Sequence, residues 1–208
     1  MRTRVKICGF TRMEDAVAAA RLGVDAIGLV FYPNSSRYVD PETASAISRA
    51  LPAFVNVVAL FVDAETALIE KVLSNVRVDC LQFHGEEPAE DCRKYGLPYI
   101  KAIRMQAQTH LAESAERFHD ARGLLLDAYQ LESPGGTGKG FDWSLIPQNC
   151  RLPLILAGGL TPDNVEAAIN AVQPYALDVS SGVESKKGIK DLDKMAAFIR
   201  KTNQMMQI

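Results

Sequence analysis

The sequence predicts an α/β protein that forms a single-domain (β/α)8 barrel, also called a TIM barrel, over residues 1–208. Short apolar runs alternate with amphipathic segments along the whole chain, which is typical of a parallel sheet covered by helices. Eight such runs without an intervening linker favour closure of the sheet into a barrel. An open doubly wound sheet is the alternative, but no Gly-x-Gly-x-x-Gly motif follows the first strand.

The predicted strands are rich in valine, isoleucine and leucine, as expected for strands that are buried on both faces. They cover residues 4–9, 26–31, 55–61, 80–84, 99–103, 123–128, 154–157 and 176–180. The predicted helices cover residues 13–22, 41–51, 65–76, 88–95, 110–119, 162–172 and 192–203. After the sixth strand, a stretch rich in glycine and polar residues (129–141) leads to a short apolar piece at 142–146.

Two of these helices have start signals in the sequence. Asp40 followed by Pro41, and Thr161 followed by Pro162, each predict a capping residue before a proline at the first helical position.

The composition argues against several classes of function. The chain is 48% hydrophobic and 23% charged, with a formal net charge of −2, which fits a compact protein with a full core. Because lysines and arginines are scattered, nothing indicates binding to nucleic acid or to a membrane surface. No apolar run approaches the roughly 18 residues of a membrane span, and no signal-peptide pattern opens the chain. We therefore expect a cytoplasmic protein.

The cysteines indicate free thiols. Cys8, Cys80, Cys92 and Cys150 are far apart, with no Cys-x-x-Cys motif and no histidine at metal-ligand spacing. An even count does not argue for disulfides in a chain without a secretory signal. We expect no metal and no redox cofactor.

Polar side chains gather at the C-terminal ends of four predicted strands, where closed parallel barrels place their active sites. Residues two apart share one face of a strand, so these side chains are expected to point the same way. They are Lys6 and Cys8 on the first strand, Gln82 and His84 on the fourth, Asp127 on the sixth, and Asp178 and Ser180 on the eighth. Taken singly, each also fits a structural role: Asp127 as a turn or cap residue, His84 and Gln82 as partners for neighbouring polar groups.

Cys8 is the most informative of these residues. A lysine two residues away on the same face favours the thiolate, which is the reactive form of cysteine. The alternative is a buried structural cysteine, since free cysteine is among the most buried residue types.

Two glycine-containing loops predict an anion site. Gly158 and Gly159 follow the seventh strand, and Ser180, Ser181 and Gly182 follow or end the eighth. Glycines let backbone N–H groups approach an anion closely, and hydroxyl groups add donors. Barrels of this class often bind phosphate with the loops after strands seven and eight. We therefore predict that these two loops bind the phosphate group of a small molecule.

The loop after the second strand ends in Arg37. This arginine fits either a solvated surface charge or a bidentate partner for a carboxylate.

These segments together resemble the phosphoribosylanthranilate isomerase family of tryptophan biosynthesis. The resemblance follows the family order along nearly the whole chain, and its most diagnostic parts are the Cys-Gly start and the Ser-Ser-Gly-Val-Glu end. Phe83 stands where leucine is more usual, at an apolar position. The matching segments are residues 6–11, 31–37, 81–85, 126–128, 135–138, 141–143, 156–165 and 178–184.

The resemblance implies an Amadori rearrangement of N-(5-phosphoribosyl)anthranilate to 1-(2-carboxyphenylamino)-1-deoxyribulose 5-phosphate. It implies Cys8 as the general base, Asp127 as the general acid, and Arg37 facing the anthranilate carboxylate. The residues around the phosphate would be Gly158, Gly159, Ser181 and Gly182, to which we add Ser180. We also expect substrate contacts from Lys6, Gln82, His84 and Asp178.

This chemistry sets requirements for two pKa values. A thiol, with an ordinary pKa of about 8.5, becomes a better base at neutral pH if Lys6 lowers the pKa of Cys8. A carboxyl group, ordinarily at about 3.9, becomes an acid if its pKa is raised. The leucines beside Asp127, and the carboxylate of Asp178, are the candidates for raising it.

Three alternatives remain at this point. A ribulose-phosphate epimerase needs metal-binding histidines and aspartates on several strands, whereas the chain has only His84, His110 and His119. An indole-forming synthase needs lysine and glutamate pairs at strand ends. A barrel that binds a phosphosugar without turnover is the non-enzyme alternative. We expect a monomer, with a dimer as the other state considered.

Overall fold

A computed structural model describes residues 2–105, 109–127, 143, 146 and 150–205. Eight parallel strands pair in chain order, and the last pairs with the first, so the sheet closes into a barrel. This confirms the predicted barrel and all eight predicted strands. The strands are β1 (Arg4–Cys8), β2 (Ala26–Val30), β3 (Asn56–Phe61), β4 (Cys80–Phe83), β5 (Tyr99–Arg104), β6 (Gly123–Asp127), β7 (Leu154–Ala157) and β8 (Ala176–Val179).

Seven α-helices are found within the described residues, each inside or close to a predicted segment. They are α1 (Met13–Arg21), α2 (Pro41–Ala50), α3 (Thr66–Asn75), α4 (Ala89–Arg93), α5 (Leu111–Arg117), α6 (Val165–Val172) and α7 (Leu192–Gln204). A short antiparallel hairpin, β9 (Glu184–Lys186) and β10 (Ile189–Lys190), follows β8. The glycine-rich stretch 129–141, most of the apolar piece 142–146, and the 135–138 motif lie outside the described residues.

The strands divide their side chains between two cores, as alternation along each strand requires. Outward side chains such as Ile7 and Phe61 join the large core under the helices. Inward side chains such as Val58 and Leu125 fill the barrel. The inner positions near the C-terminal strand ends are held by Cys8 and its neighbours on β2 and β3. This inner layer faces the C-terminal opening of the barrel.

The two helix-start predictions have different outcomes. Asp40 caps α2 as predicted, because its carboxylate accepts a hydrogen bond from the Thr43 N–H at 2.9 Å. The second prediction is wrong, since α6 begins at Val165 and not at Pro162. Thr161 instead starts a turn in which its N–H donates to the Asn164 side chain at 2.8 Å. Asn164 in turn donates to the Gly159 carbonyl at 2.9 Å, so this turn fixes the glycine loop after β7.

The cap on α2 predicts a measurable loss of stability. Asp40→Ala should lower the free energy of unfolding by about 1 kcal/mol at pH 7. The hydrogen bonds from Thr43 hold the pKa of Asp40 below its ordinary value. A carboxylate with a lowered folded-state pKa stabilises the fold above its unfolded pKa, about 3.9, and loses that effect as the pH falls through the folded pKa. Urea unfolding should therefore show that the stability difference between wild type and Asp40→Ala is smaller near pH 3 than at pH 7. Asp40→Asn, which keeps a capping oxygen, should lose less stability than Asp40→Ala at pH 7.

The described helices are short, and α7 is the longest of them at 13 residues. Within the described part of the chain, no helix combines the length and apolar character that crossing a membrane requires.

Candidate active site

A cavity of about 560 Å³ opens at the C-terminal ends of the barrel strands. It brings together ten of the twelve residues that the sequence singled out. Lys6 and Gly182 do not line it: Lys6 is buried in the barrel interior, and Gly182 packs against the Leu160 carbonyl. The predicted residues that line the cavity are Cys8, Arg37, Gln82, His84, Asp127, Gly158, Gly159, Asp178, Ser180 and Ser181.

Cys8 lies on the cavity floor and is almost completely buried, with 6% of its surface exposed. Burial raises the pKa of its thiol, and the positive charge of Lys6 opposes that effect without overcoming it. The expectation that Lys6 would lower the pKa of Cys8 overall is therefore corrected, because desolvation of the thiolate inside the barrel is the larger effect. All four cysteines are free thiols, as expected.

Lys6 is held by an ion pair inside the barrel. Its Nζ donates to the Asp178 carboxylate at 2.9 Å, and both side chains are less than a tenth exposed. Burial favours a lower pKa for Lys6, but the charges of Asp178 and Cys8 outweigh it and the pKa is raised. The sequence suggested that the negative charge of Asp178 repels the Asp127 carboxylate. Because the positive charge of Lys6 offsets that of Asp178, this repulsion is weak.

Gly28 on β2 makes room for this arrangement. The strand register sets it beside Cys8. A Cβ atom at Gly28 would lie 2.7 Å from the Cys8 sulfur and 3.1 Å from the Lys6 Nζ. The absence of a side chain therefore lets both groups occupy the same inner layer.

We expect Gly28→Ala to displace the Cys8 sulfur. Overpacking of this kind costs about 1–3 kcal/mol of folding free energy. It should also lower kcat by about tenfold or more, since a displacement of 1 Å can cost about 100-fold. Chemical unfolding and steady-state kinetics would measure both effects. A variant with wild-type kcat would show that the space at Gly28 does not matter for the thiol.

His84 connects two other cavity residues. The Gln82 amide nitrogen lies 2.9 Å from the His84 Nδ1, and the His84 Nε2 lies 3.3 Å from an Asp127 carboxylate oxygen. Because the amide donates, Nδ1 accepts, and the proton of a neutral imidazole is assigned to Nε2, which faces Asp127. The Gln82 Oε1 is buried and has no hydrogen-bond partner among the described residues. His84 therefore presents a hydrogen-bond donor to Asp127, and Gln82 on β4 fixes the orientation of the His84 ring.

The two loops predicted to bind an anion lie against each other. Gly158 and Gly159 both have positive φ angles, 85° and 65°, a conformation that glycine adopts without strain. A Cβ atom at Gly182 would lie only 1.8 Å from the Leu160 carbonyl oxygen, so the loop after β8 packs directly on the loop after β7. Ser180 has a different position from its neighbours: its hydroxyl donates to the Cys8 carbonyl at 2.9 Å and links β8 to β1.

Arg37 is not a solvated surface charge. Its Nε and one terminal nitrogen donate to the two carboxylate oxygens of Glu184, each at 2.7 Å. The Glu184 side chain is 5% exposed and the Arg37 side chain is 23% exposed, so the guanidinium reaches the cavity over a buried carboxylate.

Sequence reasoning missed several residues of the site. Tyr32, Ser35 and Lys187 line the cavity, and Glu184 and Lys190 form an ion pair at 2.9 Å beneath Arg37. Glu184 stands in the Ser-Ser-Gly-Val-Glu segment, which was the available signal for it. For Lys190 the sequence contained no signal, because its importance arises only when the β9–β10 hairpin folds back on β1.

The cavity is lined by a thiol, an imidazole, carboxylates and an arginine. In the described part of the chain, no three side chains of histidine, cysteine, aspartate or glutamate are arranged to hold a metal ion. The residues present are suited to moving protons and to binding anions.

The fold and this cavity define a (β/α)8-barrel enzyme. The profile of the N-(5'-phosphoribosyl)anthranilate (PRA) isomerase family matches residues 5–201. The chain therefore belongs to the PRA isomerase family, and it is an isomerase of tryptophan biosynthesis. This result confirms the resemblance and decides against the epimerase and the synthase.

Curated relatives and solved structures agree with this assignment. The chain is 58% identical over 200 residues to an N-(5'-phosphoribosyl)anthranilate isomerase from Nitrosococcus oceani, covering 96% of this chain and 97% of the relative. It is 54% identical to the Pseudomonas fluorescens isomerase, covering 98% of each chain. The Thermotoga maritima enzyme superposes with a TM-score of 0.86 at 44% identity, covering 97% of this chain and 99% of that one.

Proposed function

We propose that this chain isomerises N-(5-phosphoribosyl)anthranilate by acid–base catalysis, with Cys8 as the base and Asp127 as the acid. The observation that supports this most strongly is that both side chains line one cavity from β1 and β6. These strands are three apart around the eight-stranded barrel, so the two groups face the substrate from different sides.

The first step is opening of the ribose ring. Asp127 in its protonated form gives its proton to the ring oxygen, the bond from C1 to that oxygen breaks, and the nitrogen lone pair forms a C1=N double bond. The product of this step is an open-chain iminium ion and an Asp127 carboxylate. The His84 Nε2–H, 3.3 Å from Asp127, is placed to stabilise that carboxylate as it forms.

The second step is removal of the proton at C2. The Cys8 thiolate takes this proton, and the C–H electrons form the C1=C2 bond of an enolamine while the iminium nitrogen is neutralised. The enolamine then gives its hydroxyl proton to the Asp127 carboxylate, which restores the acid, and gains a proton at C1 from water, which gives the ketone. The Cys8 thiol releases its proton to water, so the thiolate is restored and the protons balance. The raised pKa of Cys8 makes its thiolate a strong base once formed, and Lys6 offsets part of the cost of forming it.

The two anionic ends of the substrate would hold the sugar between these groups. We assign the phosphate to the N–H groups of Gly158, Gly159, Ser181 and Gly182, because their two loops pack together at one edge of the cavity. We assign the anthranilate carboxylate to Arg37. Fixing both ends supplies the positioning that two proton transfers need.

The comparisons support a small phosphosugar as the ligand. One related isomerase, 44% identical and with a TM-score of 0.83, was solved in complex with reduced 1-(o-carboxyphenylamino)-1-deoxyribulose 5-phosphate. The Thermotoga maritima enzyme is described as dimeric. A monomeric state, a cytoplasmic location and independence from cofactors remain predictions from the sequence.

The direct test is an assay of the purified protein for loss of the fluorescent anthranilate substrate. We expect turnover by the wild-type chain and none above background by the Cys8→Ser/Asp127→Asn double variant, prepared identically to control for a contaminating host isomerase. Equal rates in the two preparations would contradict the proposal, and so would the absence of turnover in the wild type.

A further inference from the structure

Arg37 rests on a buried group of charges formed by Glu184 and Lys190. Glu184 binds Arg37 through both carboxylate oxygens at 2.7 Å and binds the Lys190 Nζ at 2.9 Å. The Lys190 side chain is 0% exposed and that of Glu184 is 5% exposed. Although burial favours the neutral form, hydrogen bonds from Arg37 and Lys190 hold the pKa of Glu184 below its ordinary value. Glu184 is therefore ionised at neutral pH.

The group is tied to the catalytic strand as well as to Arg37. The Lys190 Nζ donates to the Cys8 carbonyl at 2.7 Å and to the Ser180 carbonyl at 3.2 Å. The Lys190 N–H donates to Asp15 on α1 at 3.0 Å. Lys190 thus fixes Glu184 relative to the ends of β1 and β8, and Glu184 fixes the Arg37 guanidinium.

This group of charges carries an excess of positive charge, and that excess faces the cavity. Two basic side chains, Arg37 and Lys190, share the single carboxylate of Glu184. Burial lowers the pKa of Lys190, and the hydrogen bond and charge of Glu184 oppose that shift and favour the cation. Lys190 is enclosed, whereas Arg37 lines the cavity, so the surplus positive charge is presented there by Arg37. Because Glu184 occupies Nε and one terminal nitrogen, the other terminal nitrogen is left to meet an anion in the cavity.

We propose that Glu184, held by Lys190, is a positioning residue that orients Arg37 toward the substrate carboxylate and so makes the enzyme selective for carboxylated arylamines. The inference rests on the proposed function, in which Arg37 binds that carboxylate. It assigns Glu184 no contact with the reacting atoms.

The test compares two substrates in the Glu184→Gln variant. We expect KM for N-(5-phosphoribosyl)anthranilate to rise about tenfold or more, the effect of one poorly oriented charged hydrogen bond, with a change in kcat of less than about threefold. For N-(5-phosphoribosyl)aniline, which lacks the carboxylate, KM should stay within about twofold of wild type. Glu70→Gln, the same change at an exposed position on α3, is the matched control and should alter neither KM.

A second arm uses Arg37→Met as background. If Glu184 acts through Arg37, adding Glu184→Gln to Arg37→Met should not raise KM further. Three outcomes would each overturn the proposal. The first is a further rise of KM when Glu184→Gln is added to Arg37→Met. The other two are a KM that rises equally for both substrates in Glu184→Gln, and a KM for the anthranilate substrate that falls in that variant. If the glutamine variant does not fold, Glu184→Asp keeps the charge and moves the carboxylate back by one methylene, so it should raise KM for the anthranilate substrate alone. Lack of turnover in the wild type would instead contradict the proposed function.

Discussion

Replacing Cys8 with serine is expected to lower kcat at least about 100-fold, the lower end of what a positioned acid or base contributes. A serine hydroxyl is a much weaker acid than a thiol, so almost no alkoxide is available to remove the C2 proton. The substitution changes one atom in a buried position, so the cavity keeps its shape. Binding of reduced 1-(o-carboxyphenylamino)-1-deoxyribulose 5-phosphate should remain within a few-fold of wild type.

Steady-state kinetics beside a binding titration would measure both effects. Cys150→Ser is the matched control, because Cys150 is a free thiol that does not line the cavity, and this variant should retain near-normal turnover. Near-normal turnover of Cys8→Ser itself would remove Cys8 from its role as the base.

Asp127→Asn is expected to lower kcat by a similar factor, for a different reason. The amide N–H is far too weak an acid to protonate the ring oxygen, but the amide carbonyl can still accept the hydrogen bond from His84 that the carboxylate accepts at 3.3 Å. The fold and the analogue affinity should therefore be kept, while ring opening slows at least about 100-fold.

The same assay and titration test this variant. Asp193→Asn, an exposed aspartate at the start of α7, is the matched control and should behave as wild type. If Asp127→Asn turned over at a near-normal rate, another group would have to protonate the ring oxygen.

Much of the barrel and of the cavity could be predicted because both depend on local patterns. Strands buried on two faces leave short apolar runs, and alternation along each strand decides which side chains point into the barrel. That rule placed Cys8, Gln82, Asp127 and Asp178 on one inner surface, where the structure finds them.

The remainder depends on contacts between distant parts of the chain. Arg37 and Glu184 are 147 residues apart, so nothing local indicates their pairing. The raised pKa of Cys8 follows from burial, which exists only once the barrel closes. The late start of α6 reflects the use of Asn164 to hold the Gly159 carbonyl, a contact that the Thr161-Pro162 signal does not reveal.

The central claim is that Cys8 removes the C2 proton, and release of label from substrate deuterated at C2 tests it most directly. In a single turnover, the wild-type enzyme should release the label to water as product forms. Cys8→Ser, saturated with the same substrate, should release it at least about 100-fold more slowly. Release at the wild-type rate from Cys8→Ser would contradict the account.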